Sequence, residues 1–201
     1  MKFVIVSHAL FVLAFLLLSS MVLRMDLEVI PEYVCKVQVV DQSFTDTSTG
    51  SFLSDSTVVT CAHGLRDYRE GRNELVVDGQ PATVLYINHD SDVCVLSVSG
   101  PYRGPYPKVS LLDSGLISSM GFAKGTTWVE SNGYKGAEAL GGYKAFSTCK
   151  TIQGMSGGPV LNSKGGLVGI VFGSQADGGV YTMSTAILAA LLEVEGVGLG
   201  D

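Results

Sequence analysis

One serine in this sequence has the surroundings of a nucleophile. Ser156 lies in the run Gly154-Met155-Ser156-Gly157-Gly158-Pro159. Gly154 allows a sharp turn, so that its own N–H group and that of Ser156 can point at one spot, where the oxyanion of an acyl transfer would develop. The alternative is a glycine-rich surface turn between two strands, which is the usual meaning of such a composition. The run alone does not decide between the two interpretations.

A serine hydroxyl needs a general base at neutral pH, and that base needs an orienting acid. The chain has three histidines. His8 lies in an apolar N-terminal run, and His89 lies in a polar turn. His63 lies in Thr60-Cys61-Ala62-His63-Gly64, a segment that directly follows the strand-like run Ser56-Thr57-Val58-Val59, and is therefore the candidate base.

Two aspartates are candidates for the orienting acid. Asp92 opens the run Asp92-Val93-Cys94-Val95-Leu96, whose apolar residues are typical of a buried strand that would hold a carboxylate rigid and desolvated. Asp90 has no such strand directly after it and is the second candidate.

These segments resemble the three catalytic blocks of trypsin-like (chymotrypsin-fold) serine proteases, in the order of that family: Thr60-Cys61-Ala62-His63, Asp92-Val93-Cys94-Val95-Leu96 and Gly154-Met155-Ser156-Gly157-Gly158-Pro159. Gly169-Ile170-Val171-Phe172-Gly173 and Gly179-Val180-Tyr181-Thr182 resemble the two walls of the specificity pocket. The resemblance extends from about Cys35 to Leu192.

The resemblance implies a serine endopeptidase. Ser156 is then the nucleophile, His63 the general base and then acid, and Asp92 the orienting carboxylate, while the N–H groups of Gly154 and Ser156 form the oxyanion hole. Two alternatives remain open: His63 and Asp92 as polar residues of the core, and an inactive protease fold that serves as a binding module.

The substrate implied is a polypeptide that pairs as an extended strand, main chain to main chain, with Gly169-Ile170-Val171-Phe172-Gly173. Lys150 lies six residues before Ser156, at the level where trypsin carries the carboxylate that selects basic side chains. A cation there would favour Glu or Asp at the cleaved position, unless Lys150 extends into solvent. The predicted substrate-binding residues are Lys150, Gly169, Val171, Phe172, Gly173 and Gly179. Glu195-Gly196 is a possible site of self-processing.

The sequence departs from the secreted digestive enzymes at two positions. Met155 replaces the aspartate that pairs with a freed N-terminus in zymogen activation, and Gly64 follows the base where those enzymes have a cysteine. We therefore expect the oxyanion hole to form without proteolytic activation. The pattern is more similar to compact viral polyprotein proteases and HtrA-type enzymes, which implies, by analogy, a virus-encoded processing protease.

The segment Phe3 to Leu23 is almost entirely apolar and is long enough to span a bilayer as a helix. It predicts a single-pass N-terminal anchor in residues 1–25 and a membrane location, with a host intracellular membrane as one candidate. The alternative is a cleaved signal peptide and a secreted protease.

Residues 26–195 are predicted to form one protease domain, followed by a tail at 196–201. The resemblance implies an all-β fold of two six-stranded antiparallel barrels, the first at about 34–100 and the second at about 108–183, with a terminal helix at 184–194. Ser184 is the expected N-cap, residues 41–51 the expected connection, and 109–112 the expected first strand of the second barrel.

The composition excludes some functions. The net charge of −6, with no basic block, argues against nucleic-acid binding. No CxxC or Cys/His spacing among the four cysteines suggests zinc, so no metal and no cofactor is predicted. Because none sits where secreted relatives place their disulfides, we expect four thiols in a reducing compartment.

Overall fold

The computed structural model describes residues 29–100, 104–111, 115–139 and 142–194. Over these ranges the chain forms two closed six-stranded antiparallel barrels and one C-terminal helix, which confirms the predicted barrel architecture. Among the described residues, no helix combines the length and the apolar character that crossing a bilayer requires. The predicted anchor lies outside the described residues, as does the Glu195-Gly196 bond.

The first barrel closes in the order β1-β2-β3-β6-β5-β4. Its core is made by inward-facing aliphatic side chains of alternating strand positions, such as Val37, Val58 and Leu96. A short 3-10 helix, His63–Leu65, follows the third strand. The strands are β1 Val34–Val40, β2 Thr45–Phe52, β3 Thr57–Thr60, β4 Glu74–Val77, β5 Gln80–Asn88 and β6 Val93–Val98.

The second barrel closes in the order β10-β11-β12-β9-β8-β7. Ile117, Val160 and Tyr181 are among the buried side chains that fill it. Its strands are β7 Leu116–Ala123, β8 Thr127–Glu138, β9 Lys144–Ser147, β10 Pro159–Asn162, β11 Leu167–Gln175 and β12 Gly178–Met183.

The terminal helix α1, Ser184–Glu193, buries one apolar face. Ile187 and Leu191 share a core cluster with residues of both barrels, among them Val95 and Ile170. The helix therefore ties together the two barrels that supply the halves of the site.

Three local predictions were wrong. Residues 45–52 form strand β2 rather than a connection, because their Ser and Thr side chains pack inside while the backbone pairs with β1. Residues 109–111 form no strand, and Val109 makes only an isolated bridge to Leu167, while residue 112 lies outside the described residues. Met183 is the N-cap of α1, with Ser184 already helical and no side-chain cap.

Candidate active site

His63 and Asp92 are brought together by two neighbouring strands. His63 comes just after β3 and Asp92 comes just before β6, and these strands pair with Thr60 opposite Cys94. Asp92 Oδ1 accepts a hydrogen bond from the His63 backbone N–H at 2.8 Å, and Asp92 Oδ2 accepts one from Nδ1 at 2.8 Å. This two-point contact fixes both the position and the ring orientation of His63.

Asp92 rather than Asp90 is the carboxylate beside the imidazole. The Asp92 side chain is only 4% exposed, whereas Asp90 is exposed in the turn and its N–H donates to Asn88 Oδ1. The backbone of Asp92 is left-handed (φ 60°), a conformation that aspartate tolerates better than most residues. Its carbonyl accepts from Ala62 N at 3.3 Å, which holds the turn in place.

Ser156 faces the same cleft as His63. The two residues line one cavity of about 400 Å³, together with Gly154. Within the described residues no hydrogen bond joins Ser156 Oγ to His63; the hydroxyl instead donates to Phe172 O at 3.4 Å. Such a weak bond is readily exchanged, and nucleophile–base contacts are often long before substrate binds.

The peptide groups around Gly154 leave two N–H donors without a protein acceptor. Neither the Gly154 N–H nor the Ser156 N–H bonds to any described residue. The Gln153 carbonyl accepts from Lys124 N–H at 2.6 Å, and the Gly154 carbonyl accepts from the buried Thr49 hydroxyl at 2.8 Å. The Gln153 carbonyl shares its peptide group with the Gly154 N–H, and the Met155 carbonyl, which accepts from Gly158 N–H at 2.9 Å, shares its peptide group with the Ser156 N–H. Because both peptide groups are held in this way, the two N–H groups are left available to bind an oxyanion.

Glycine is required at three positions of this loop. Gly154 (φ 96°) and Gly157 (φ 84°) have left-handed backbones. A Cβ at Gly157 would collide with Thr49 O, and one at Gly158 would collide with Met120 O. The loop is thus pressed against strands of both barrels, which fixes its shape.

Comparison with known proteins identifies the family. The sequence model of the trypsin-like peptidase domain matches residues 48–170. The chain belongs to the trypsin-like peptidase family. No curated protein matches it in sequence.

Solved structures show the same fold. The active form of the Rv3671c protease from M. tuberculosis is 21% identical, with a TM-score of 0.68 and coverage of 85% of each chain. The serine endoprotease from Yersinia pestis is 19% identical, with a TM-score of 0.69, over 81% of this chain and 62% of that one. Deg5 is 16% identical, with a TM-score of 0.63, over 79% of this chain and 87% of that one. The predicted resemblance is confirmed, and the chain is a serine-type endopeptidase.

In this trypsin-like domain, the position before Ser156 is neutral and buried. Met155 is fully buried, and its Sδ accepts the Ile152 N–H at 3.3 Å. A thioether here needs no counter-ion, whereas an aspartate would need a buried partner. Backbone and thioether contacts therefore hold this part of the loop without an ion pair at residue 155.

The predicted substrate-binding residues lie in different environments, some beside the cleft and some in the core of the second barrel. The register of β11 against β12 shifts at Phe172, whose ring meets that of His63 edge-on at 5.6 Å. Val171 is buried, and its backbone pairs with Gly157 and Gly158. Gly169 is buried in the second barrel, where an added Cβ would lie 2.5 Å from the Tyr181 ring. Packing, rather than substrate binding, therefore requires a glycine at this position.

The sequence analysis did not identify Thr151 as a site residue. Its hydroxyl donates to Gly173 O, in one of the two predicted pocket walls, at 2.8 Å. A Cβ at Gly179 would lie 2.7 Å from the Thr151 methyl group. Lys150, in contrast, is exposed, and its backbone N–H donates to Ser131 Oγ at 2.8 Å.

All four cysteines are free and buried. Burial raises the pKa of the Cys94 thiol to about 12. A Cβ at Gly64 would lie 2.8 Å from Ser48 Oγ and 3.0 Å from Cys61 Sγ, so residue 64 has no room for a cysteine side chain.

The hydrogen bond to Asp92, with a smaller contribution from Cys61, raises the pKa of His63 well above its ordinary value of 6.5. A general base works only when neutral, and a raised pKa keeps the proton on the imidazole to higher pH. We therefore expect kcat/KM for peptide hydrolysis to fall, as pH is lowered, along an acid limb whose midpoint lies above 6.5. The measurement is a pH–rate profile with the folded fraction monitored by circular dichroism. A midpoint at or below the ordinary value would contradict this prediction.

Proposed function

We propose that this protein hydrolyses peptide bonds through an acyl-enzyme formed on Ser156. The observation that supports this most strongly is the His63–Asp92 pair, held at two points, beside a loop whose Gly154 and Ser156 N–H groups have no protein acceptor. A polar pair that served only the core would not need to face a cleft shared with a serine. An inactive binding module would not need an oxyanion hole.

The residues divide the chemistry as follows. His63 Nε2 takes the Ser156 proton as Oγ attacks the scissile carbonyl carbon, and Asp92 stabilises the imidazolium that forms. The carbonyl oxygen becomes negative and is bound by the N–H groups of Gly154 and Ser156. His63 then gives its proton to the leaving amine, and a water molecule, activated by the same imidazole, hydrolyses the ester.

The substrate is proposed to be an extended polypeptide chain that pairs with β11 near Phe172 and Gly173. The Thr151 side chain donates to Gly173 O in one wall and lies close to Gly179 in the other, so it forms a bridge between the walls. We therefore expect the space for the side chain at the cleaved position to be shallow. We expect small uncharged residues there. The acidic preference inferred from Lys150 is the second candidate, and the exposure of that side chain weighs against it.

A peptide library with Ala, Val, Glu, Lys and Phe at the cleaved position tests both the activity and the preference. We expect cleavage by the wild type, fastest after the small residues, and a loss of roughly 10⁶-fold in kcat for Ser156→Ala. Thr151→Gly should extend cleavage to Phe, since it removes the bridge. Fastest cleavage after Glu would favour the Lys150 hypothesis, and equal turnover by Ser156→Ala and wild type would refute the serine mechanism.

We further propose a membrane-tethered role in processing a viral polyprotein. The apolar segment Phe3 to Leu23 and the neutral Met155 support it, and the four free thiols weigh against the secreted alternative. Alkaline carbonate extraction of the full chain should leave it with the membrane, and release into the supernatant would contradict tethering. Self-processing at Glu195-Gly196 goes with the acidic preference inferred from Lys150: under that second candidate, intact-mass analysis should show loss of residues 196–201 in active protein and not in Ser156→Ala, whereas a preference for small residues predicts no such loss.

A further inference from the structure

The proposed peptidase mechanism gives no role to the Cys61 thiol, which lies beside His63. Cys61 Sγ lies 3.8 Å from His63 Nε2, the nitrogen that must take the Ser156 proton. Cys61 itself is fully buried, whereas the His63 side chain is 42% exposed to the cleft. A buried sulfur thus lies next to the lone pair that the proposed mechanism uses.

The separation of these two atoms suits a shared metal ion. Zinc binds thiolate sulfur at about 2.3 Å and imidazole nitrogen at about 2.0–2.1 Å, which places the two ligand atoms about 3.5–3.8 Å apart around one ion. The observed distance is 3.8 Å. Ligand atoms of Cys61, His63 and Asp92 all lie within 4.8 Å of one another.

Asp92 already occupies the supporting position of such a site. A histidine that binds a metal usually donates its other ring N–H to a carboxylate, which fixes the tautomer and strengthens the ligand. His63 Nδ1 makes this bond to Asp92 Oδ2 at 2.8 Å. A carboxylate only accepts, so Nδ1 carries the proton and the Nε2 lone pair of the neutral ring is free to bind.

The cleft leaves coordination positions open. Ser156 lines the same cavity as His63, so water from this cavity can complete the coordination sphere without a third protein ligand. Asp46 also lines this cavity, but so do the cations Arg66 and Lys124, which oppose the entry of a divalent ion. A site with two protein ligands and mixed charges is expected to bind reversibly, as a regulatory ion does.

We propose that Cys61 and His63 together bind a soft divalent cation, for which Zn²⁺ is the best fit, and that this binding reversibly inhibits the enzyme. Thiolate ligands select zinc over magnesium and calcium. The Cys61 S–H proton is released to solvent when the metal–sulfur bond forms, and His63 can no longer act as a base. The inhibitory consequence rests on the proposed peptidase function, whereas the binding itself does not.

Metal binding is tested without any activity, on Ser156→Ala protein titrated with Co²⁺ as a spectroscopic substitute for Zn²⁺. We expect a thiolate-to-cobalt charge-transfer band that Zn²⁺ abolishes. Adding Cys61→Ala should remove the band, and Cys149→Ala, which deletes a buried thiol of the second barrel, should keep it. Absence of the band from Ser156→Ala protein with all four cysteines would overturn the proposal, even if the Cys61 variant does not fold.

Inhibition is then measured on active enzyme, with each variant normalised to its own metal-free rate. The Zn²⁺ concentration for half-inhibition should rise by at least about tenfold in Cys61→Ala, since even the loss of an outer-shell partner costs that much. It should not change in Cys149→Ala. Equal inhibition of the wild type and Cys61→Ala would overturn the role of the thiol. A cobalt band in a wild-type protein without peptidase activity would refute the proposed function and still support the metal site.

Discussion

Asp92→Asn is expected to lower kcat for peptide hydrolysis by about 10⁴-fold while the protein stays folded. The Asp92 carboxylate accepts two hydrogen bonds from His63, one of them from Nδ1. An amide that offers its NH₂ group to the ring favours the tautomer with the proton on Nε2, and that nitrogen can then no longer accept the Ser156 proton. The amide also cannot stabilise the imidazolium.

Steady-state kinetics of wild type, Asp92→Asn and Asp90→Asn check this prediction. Asp90 lies two residues away in the exposed turn and carries the same charge, so Asp90→Asn controls for net charge and should retain its kcat. Circular dichroism should be unchanged in both variants. A large loss in Asp90→Asn, with Asp92→Asn near wild type, would reverse our assignment of the acid.

Gly154→Ala should reduce kcat by at least about 10²–10³-fold, the usual effect of losing one oxyanion-hole donor. Gly154 has φ 96°, and an added Cβ would lie 2.5 Å from Phe122 O and 2.8 Å from the N atoms of Lys124 and Gly125. Since these neighbours are backbone atoms, the loop itself must move. Its movement would break the bond between Lys124 N–H and Gln153 O that orients the Gly154 N–H group.

Gly165→Ala is the matched control. Gly165 also has a left-handed backbone (φ 77°), but an added Cβ would meet nothing within 4 Å. The change should cost about 1–2 kcal/mol of unfolding free energy for the unfavourable backbone and leave kcat unchanged. Chemical denaturation and kinetics of both variants separate the two effects. If both lose kcat equally, backbone strain and not the oxyanion hole is responsible.

The sequence could predict those features of the fold and the site that depend on residues adjacent in the chain. Three short motifs carried the family resemblance, which implied the barrels and grouped His63, Asp92 and Ser156 at one site, because each motif is a run of residues adjacent in sequence. Strand β2 was missed because its Ser and Thr residues have the composition of a loop. Their burial depends on pairing with β1, which no local pattern shows.

The supports of the site could not be predicted, because they come from residues distant in sequence. Thr49, in the first barrel, fixes the Gly154 carbonyl across 105 positions, and Lys124 orients Gln153 from a turn of the second. Thr151 is next to the predicted Lys150, but only the folded chain shows its bond to Gly173. Cys61 belongs to the His63 motif, but the distance between Cys61 Sγ and His63 Nε2 depends on the ring orientation that Asp92 imposes.

The central claim is that Ser156 is a nucleophile activated by His63. Its most direct test is intact-mass and peptide-level mass spectrometry after reaction with a fluorophosphonate probe. We expect one adduct per chain on Ser156 Oγ in the wild type, and none in Ser156→Ala, His63→Ala or heat-denatured protein. Folded wild type that stays unlabelled, or labelling that persists in Ser156→Ala, would contradict the account.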